Sequence, residues 1–337
     1  MRAKTRETKE RKARADTVQL AAAIAIGKRT SKSEETETKT TIRAWVSDVR
    51  ALMTDYVVRR SVHSKDLEGR PIIRLPPWID IIVPVELRKD ELAVQNILVD
   101  RLKEERHKLT TGGLEAFYLG IRKALLHKCL ADVDEHRFPR DKDQRPYTDY
   151  PSSKLDALLE LLKYHLGQTC APPAQVHPTI APPAADPEDW LRLPDASIDK
   201  IIVYLAFPSS NWLVRKALEH SGVKYMEINS DKTPKQRAET LQAFRLSEDV
   251  QVLLMSNVGT VGLNIAFANI VIVVDNLWSA QEMEQLIGRV WRHPQSKRVL
   301  IYSLIAVGTS DVFLNTISRD KGTMQSGFMN TDTQLSK

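Results

Sequence analysis

The residues best placed for concerted chemistry lie in the run QLIGRVWRHPQ, from Gln285 to Gln295. On a helix, Gln285, Arg289 and Arg292 recur at spacings of four and three and so project from one face, while Leu286, Val290 and Trp291 turn toward packing. Guanidinium groups are planar, permanently charged and rich in N–H donors. Two of them aimed at one place suit the spread negative charge of a phosphoryl-transfer transition state. A second segment, Ser256-Asn257-Val258-Gly259-Thr260-Val261-Gly262-Leu263-Asn264, follows the apolar run Val250–Met255. Glycines in a strand-to-helix turn let the backbone approach a ligand, and a helix N-terminus offers unpaired N–H groups to phosphate. The same turn could equally serve to pack a helix on a sheet. It matches neither GxGxxG nor the phosphate-binding loop GxxxxGK followed by Ser or Thr, because no lysine follows. Asp275 and Trp278 stand between the two segments, with Asp275 closing an apolar run.

The elements that would position these residues are legible from periodicity. Short apolar runs at Ile201–Leu205, Tyr225–Ile228, Val250–Met255, Ile270–Val274 and Val299–Ile305 alternate with amphipathic stretches near Asn211–Ser221, Pro234–Phe244, Ala280–Arg289 and Ser310–Ile317. Buried strands separated by helices predict an α/β fold, a parallel sheet covered by helices on both faces. Ligands of such sheets bind at the carboxyl ends of the strands, where the Ser256 and Asp275 segments fall.

Upstream the pattern is mainly helical. Residues 1–41 form a basic, charged tail, with Arg2, Lys4, Arg6, Lys9, Arg11, Lys12 and Arg14 at its start. From 42 to 166 helices are expected at Ile42–Met53, Glu86–His107, Leu114–Leu130 and Tyr150–Leu166. The last has Ser152 or Ser153 as N-cap and Leu155, Leu158, Leu159 and Leu162 as its buried stripe. A short β-rich passage interrupts them at Ile72–Val85. Residues 167–199 hold seven prolines, from Pro172 to Pro194, and read as an extended linker or surface loop. The parallel sheet follows over 200–320, and 321–337 is a flexible tail.

The 337 residues are 42% hydrophobic and 27% charged, as in a water-soluble globular protein, and no run approaches the roughly eighteen apolar residues of a membrane span. Two cysteines build no disulfide framework and point to a reducing compartment. The eight histidines fall at no metal-ligand spacing, so no metal site is expected. A net charge of +6 leans toward a polyanionic partner.

Taken together, Lys200–Asp311 resembles the C-terminal RecA-like lobe of SWI/SNF-like superfamily-two helicases. Ser256–Ile265 resembles the family's motif five, Asp275 and Trp278 its D-x-x-W stretch, and Gln285, Gly288, Arg289, Arg292 and Gln295 its motif six, Q-x-x-G-R-x-x-R-x-x-Q. More loosely, Arg59–Ser64 resembles the close of the first lobe and Ser152–Leu155 the helix leading into the second. The resemblance implies that Arg289 and Arg292 are arginine fingers reaching ATP held on the other lobe, with Gln285 positioning them. Gly259, Thr260, Gly262, Asn264 and Gly288 would line the nucleotide interface. It also implies a double-stranded DNA partner, nuclear localisation and ATP-driven translocation of the chromatin-remodelling kind, with no role for a membrane. The chain departs from the pattern at Leu205-Ala206-Phe207, where the family places a Ser-Gln pair, at Thr260, which replaces a glycine, and at Pro294.

No GK followed by Ser or Thr occurs in the sequence, and Gly27-Lys28-Arg29 has arginine where a metal-contacting hydroxyl is needed. Asp134-Glu135-His136 imitates a DEAH-type box without the residue between Glu and His. The lysine that holds phosphates and the acids that hold Mg²⁺ would therefore belong to a first lobe, in cis or in trans, and the chain alone would be inactive. The alternative expectation is a non-catalytic, helicase-derived scaffold.

Overall fold

The computed structural model describes residues 48, 64–105, 111–131, 147–187, 190, 196–256, 263–277, 280–312 and 315. The basic tail, the Ile42–Met53 face, Arg59–His63, Asp134–His136, Asn257–Gly262, Trp278 and the C-terminal tail lie outside them. Two compact units are present. The described part of the smaller one, Ser64–Ile72, is a tight turn in which the Asp66 carboxylate accepts from the backbone N–H groups of Glu68 and Arg70.

The larger unit, Ile73–Gly322, is built on six strands: β1 (Trp78–Val85), β2 (Ile201–Leu205), β3 (Tyr225–Ile228), β4 (Val252–Ser256), β5 (Ile270–Val273) and β6 (Val299–Ala306). They form one all-parallel sheet in the order β1-β6-β5-β2-β4-β3. The helices are α1 (Lys89–Glu105), α2 (Thr111–Leu126), α3 (Ser153–His165), α4 (Asn211–His220), α5 (Pro234–Leu246) and α6 (Ala280–Val290). Strand side chains alternate strictly. Ile201, Val203, Leu254, Ile272 and Tyr302 pack with α3 and α4 on one face. Ile202, Leu253, Val271 and Ile301 pack with Phe244 of α5 and Leu286, Ile287 and Val290 of α6 on the other.

Three features differ from the sequence reading. The β-rich passage is not part of a separate helical segment: β1 pairs along its whole length with β6 and completes the sheet, so a boundary near residue 200 does not divide two bodies. In α3 the buried stripe includes Leu161, with Leu159 only half-buried, and Ser152 at the N-cap uses its hydroxyl on the Leu126 carbonyl instead of capping. The cap comes from Glu91 of α1, whose carboxylate accepts from the Ser153 and Arg88 N–H groups at 3.0 Å each.

Third, the proline-rich stretch is a packed strap, not a spacer. Cys170, Ala171 and Ala174 are buried, and the Ala174 N–H donates to the Tyr302 hydroxyl at 2.8 Å. The strap is tied to the amino edge of the sheet by Asp199. This fully buried carboxylate accepts from Cys170 N (2.9 Å), Ala171 N (3.0 Å), Asn269 Nδ2 (2.9 Å) and Lys297 Nζ (2.9 Å). Proline prevents the strap from pairing as a strand, so side-chain anchors take over that duty.

Removing the Asp199 carboxylate leaves Lys297 buried without its counter-charge and two strap N–H groups unpaired. Asp199→Ala is expected to cost about 3–5 kcal/mol, read as a lowered urea midpoint at unchanged slope.

Candidate functional site

In this sheet the chain leaves β2 by way of α4 toward β4 and β3, and leaves the adjacent β5 by way of α6 toward β6. The carboxyl ends of β2 and β5 therefore face a topological switch point, where open α/β sheets bind ligands. The side-chain chemistry is asymmetric between the two edges. At the amino edge Asp199, Asn269, Gln251, Lys200 and Lys297 are bonded to one another or to backbone. At the carboxyl edge, buried polar atoms with no hydrogen-bond partner among the described residues follow the strands in turn: Asn211 Oδ1 after β2, Asn229 Oδ1 after β3, Ser256 Oγ at the end of β4, both Asp275 oxygens after β5, and Ser310 Oγ after β6. Unsatisfied buried polar groups cost stability, so their concentration along one edge marks it as the functional edge.

Asp275 is the extreme case. Its carboxylate is 2% exposed and no hydrogen bond of ordinary geometry reaches either oxygen. Burial raises its pKa from 3.8 to about 6; the Lys154 ammonium pulls the other way, Asp311 reinforces the rise, and the Phe207 N–H and Arg122 weakly oppose it. Lys154, 1% exposed on α3, pairs with Asp311 and donates to the Val274 carbonyl at 3.3 Å. Asp311 receives the Ala306 N–H at 3.2 Å, and its carbonyl accepts from Asn276 Nδ2 at 2.8 Å. Arg122 of α2 donates to the Asn276 carbonyl. One buried ammonium thus joins a helix upstream of the strap to the exits of β5 and β6. Sequence reasoning noted Lys154 only within its helix stretch and passed over Asp311 and Arg122. The available signal was a lysine beside Leu155 on an otherwise leucine-lined face.

The helix α6 carries the expected residues. Met283, Leu286, Ile287 and Val290, at helical spacing, pack against the sheet. Gln285 and Gly288 lie exposed on the other side, and Arg289 is half-buried. Arg292 is not on the helix as expected: α6 stops at Val290, and Arg292 lies in the turn beyond, with its N–H on the Val290 carbonyl at 3.2 Å. Proline at 294 and the glutamine after it account for the stop. Gln295 is buried and donates to the carbonyls of Ala268 (2.7 Å) and Val290 (3.3 Å), closing the helix onto the loop before β5. The Ile265 N–H donates to the Arg289 carbonyl at 3.0 Å, so the segment after the glycine-bearing turn is fastened to α6 through the backbone.

Among the described residues, the side chains of Gln285, Arg289 and Arg292 have no hydrogen-bond or ion-pair partner. Asn264 is exposed, and its side chain accepts from the Ala266 N–H at 3.2 Å in a local turn. Gly259, Thr260 and Gly262 fall outside the described residues. A Cβ at Gly288 would meet nothing within 4 Å. Packing among the described residues does not require glycine there, and mid-helix glycine is costly. No helix among the described residues is long and apolar enough to cross a membrane.

Residues 189–294 match the helicase conserved C-terminal domain family. The chain is 31% identical over 124 residues to DNA repair protein RAD5 of Cryptococcus neoformans, covering 36% of this chain and 10% of that protein. It is 30% identical over 115 residues to the DNA repair and recombination protein RAD54-like of Homo sapiens, 34% of this chain and 15% of that protein. A longer match, 22% identical over 293 residues, is to a SWI/SNF-related, matrix-associated, actin-dependent regulator of chromatin subfamily A homolog of Caenorhabditis elegans, covering 82% of this chain and 29% of that protein. The matches span from about a tenth to under a third of these relatives' length. Among solved structures, the Sulfolobus solfataricus SWI2/SNF2 ATPase core in complex with dsDNA superposes with a TM-score of 0.52 at 17% identity, over 86% of this chain and 54% of that one. The C-terminal part of the Fun30 ATPase domain gives 0.51 at 14%, over 76% and 99%. These two likenesses establish the RecA-like fold.

Two stability measurements check the site's geometry. The folded state keeps the Asp275 proton to about pH 6, whereas the unfolded chain releases it near 3.8. Stability therefore falls as pH rises through that window and stays reduced above it. Asp275→Asn, which cannot ionise, is expected to gain on the unaltered chain by roughly 2–3 kcal/mol between pH 4 and pH 7.5. Parallel unfolding curves would show the burial argument to be mistaken. Gly288→Ala is expected to stabilise the chain by about 0.5–1 kcal/mol in urea.

Proposed function

We propose that the chain carries the C-terminal, RecA-like lobe of a SWI/SNF-like superfamily-two helicase and acts as the second half of a DNA-dependent ATPase, a reading supported by the helicase C-terminal match and the SWI/SNF-related relative. The observation that carries this reading is the pair of guanidiniums without a partner among the described residues, Arg289 at the end of α6 and Arg292 in the turn beyond it, beside Gly288, where a Cβ would meet none of those residues within 4 Å. An arginine with an internal role is ordinarily bonded to a carboxylate or carbonyl. These two keep their donors for something outside the described fold.

Their chemistry fits ATP hydrolysis. When water attacks the γ-phosphorus and the bond to the β,γ-bridging oxygen breaks, negative charge spreads over the γ- and β-phosphate oxygens. Arg289 and Arg292 donate N–H bonds to those oxygens, and Gln285, one helical turn before Arg289, orients the pair. The bare face at Gly288 admits the partner lobe closely. The resemblance to the family's motif five assigns Gly259, Thr260, Gly262 and Asn264 to the nucleotide interface. Mg²⁺ and the lysine that grips the phosphates belong to a first lobe, carried by a neighbouring chain or by the remainder of a longer product. The partner is double-stranded DNA, as in the complex of the Sulfolobus solfataricus SWI2/SNF2 ATPase core, and the setting is nuclear, in DNA repair or chromatin remodelling, as for the RAD5, RAD54-like and SWI/SNF-related relatives.

The purified chain is expected to bind duplex DNA with an affinity that falls steeply with salt, and to show no ATP turnover by phosphate release with or without DNA. Joined to the first lobe of a SWI/SNF-like relative, it should gain DNA-stimulated turnover. Arg289→Ala or Arg292→Ala should then reduce that turnover by about 10³-fold or more at unchanged melting temperature, and Gly288→Ala should impair it despite stabilising the fold. Turnover by the assembled motor that is indifferent to both arginines sinks the arginine-finger assignment. Salt-insensitive binding to a protein, with no DNA affinity, would favour a scaffold.

A further inference from the structure

The helix α2 delivers two adjacent cations to one aromatic ring at the switch point. The Arg122 guanidinium lies 4.9 Å from the centroid of Phe207, and the Lys123 ammonium lies 5.8 Å from it. Phe207 follows the end of β2, and all three side chains are half-buried. Arg122 also donates to the carbonyl of Asn276, just past β5, so the group spans the mouth of the crevice between the two strand ends. We propose that Lys123 and Arg122, arrayed on Phe207, form a contact site for the phosphodiester backbone of duplex nucleic acid. The proposal rests on the DNA-binding reading above and supplies residues that it did not contain.

Three physical points carry it. A ring face holds cations by its quadrupole without neutralising them, whereas a carboxylate would cancel their charge. If holding α2 against β2 were the only demand, an ion pair or an apolar contact would meet it with less like-charge repulsion. Among the described residues no carboxylate is paired with Lys123. Among the described residues, two carboxylates behind this group are sunk below the surface: Asp311, 2% exposed, is paired with Lys154, and Asp275, equally buried, has its pKa raised by burial. An anion approaching from solvent meets the two cations first and the buried acids only behind them. Among the described residues, Lys128 is paired with Asp90 and Arg88 with Asp156. A backbone phosphate can receive both the ammonium and the guanidinium, with Phe207 setting their spacing. Such contacts bind without reading sequence.

The test measures binding of the full chain to a short mixed-sequence DNA duplex across a salt series. Lys123→Gln is expected to weaken binding several-fold and to lower the slope of log affinity against log salt by about one. Lys123→Arg should restore both, and Phe207→Leu, which keeps an apolar contact but removes the ring, should weaken binding at an unchanged melting temperature. Lys224→Gln serves as the control, since this exposed lysine before β3 is paired with Asp249 at the opposite edge. Unchanged affinity and slope in Lys123→Gln would reduce the pair to a brace for α2 and overturn the proposal. Loss of poly-glutamate binding with duplex binding intact would also overturn it, in favour of an acidic protein partner. No salt-dependent DNA binding by the unaltered chain is a different pattern, and it removes the DNA reading and this site together.

Discussion

Four donors converge on the carboxylate of Asp199, and the architecture depends on that convergence. A fully buried carboxylate is tolerable only when charge and hydrogen bonds replace lost water. Lys297 supplies the charge, and Asn269 with the N–H groups of Cys170 and Ala171 supply the bonds. These donors come from the strap, from the residue before β5 and from the residues before β6. One group therefore fixes the register in which the strap, β2, β5 and β6 meet. Tyr302 repeats the device deeper in the sheet, taking the Ala174 N–H while bonded to His165 at 2.9 Å. Deep burial brings the His165 pKa down to about 4 against the opposing pull of the Asp199 carboxylate, so the imidazole is neutral at physiological pH and imposes no charge on the core.

The other edge of the sheet is left incomplete. There the chain tolerates orphan oxygens at successive strand ends and an aspartate with a raised pKa, whereas Arg289 and Arg292 lie at the far end of α6, which is bonded to the segment before β5. Stability given up at one edge and secured at the other is the pattern expected where a fold must receive a ligand or a second domain. The two edges are mechanically linked. Lys154 is held on α3, which shares the core with Tyr302 and the strap, and its ammonium reaches Asp311 and Val274 at the exits of β6 and β5. The end of α6 is tied directly to the segment before β5, by Gln295 on the Ala268 and Val290 carbonyls and by the Ile265 N–H on the Arg289 carbonyl.

The two-sided core was largely legible because period-two apolar runs and period-three-to-four stripes have one economical arrangement, strands in the middle and helices outside. Five of the six strands and the helices that flank them fall within a few residues of the positions read from periodicity. The sixth was read as the β-rich passage Ile72–Val85 but not as part of the sheet, because Pro76, Pro77 and Pro84 break its pattern and β1 buries only the side chains of one face, leaving Trp78 and Ile82 exposed. The α6 residues were legible for the same periodic reason, except at Arg292. Helical spacing was extended there past a stop that Pro294 and the side-chain bonds of Gln295 impose.

By itself, the sequence determined the alternation of strand and helix, the placing of the glycine-bearing turn and of Asp275 at strand ends, and the shared spacing of Gln285 and Arg289. These follow from local periodicity and from short-range backbone preferences, which act within a few residues. Only the tertiary structure decided that β1 closes the sheet, that the proline-rich stretch is an anchored strap, that Lys154 neutralises Asp311 from far along the chain, and that Arg122 and Lys123 meet on Phe207. Those are long-range pairings. Their free energy depends on burial and on which charges share a low-dielectric space, and no spacing along a single chain encodes it.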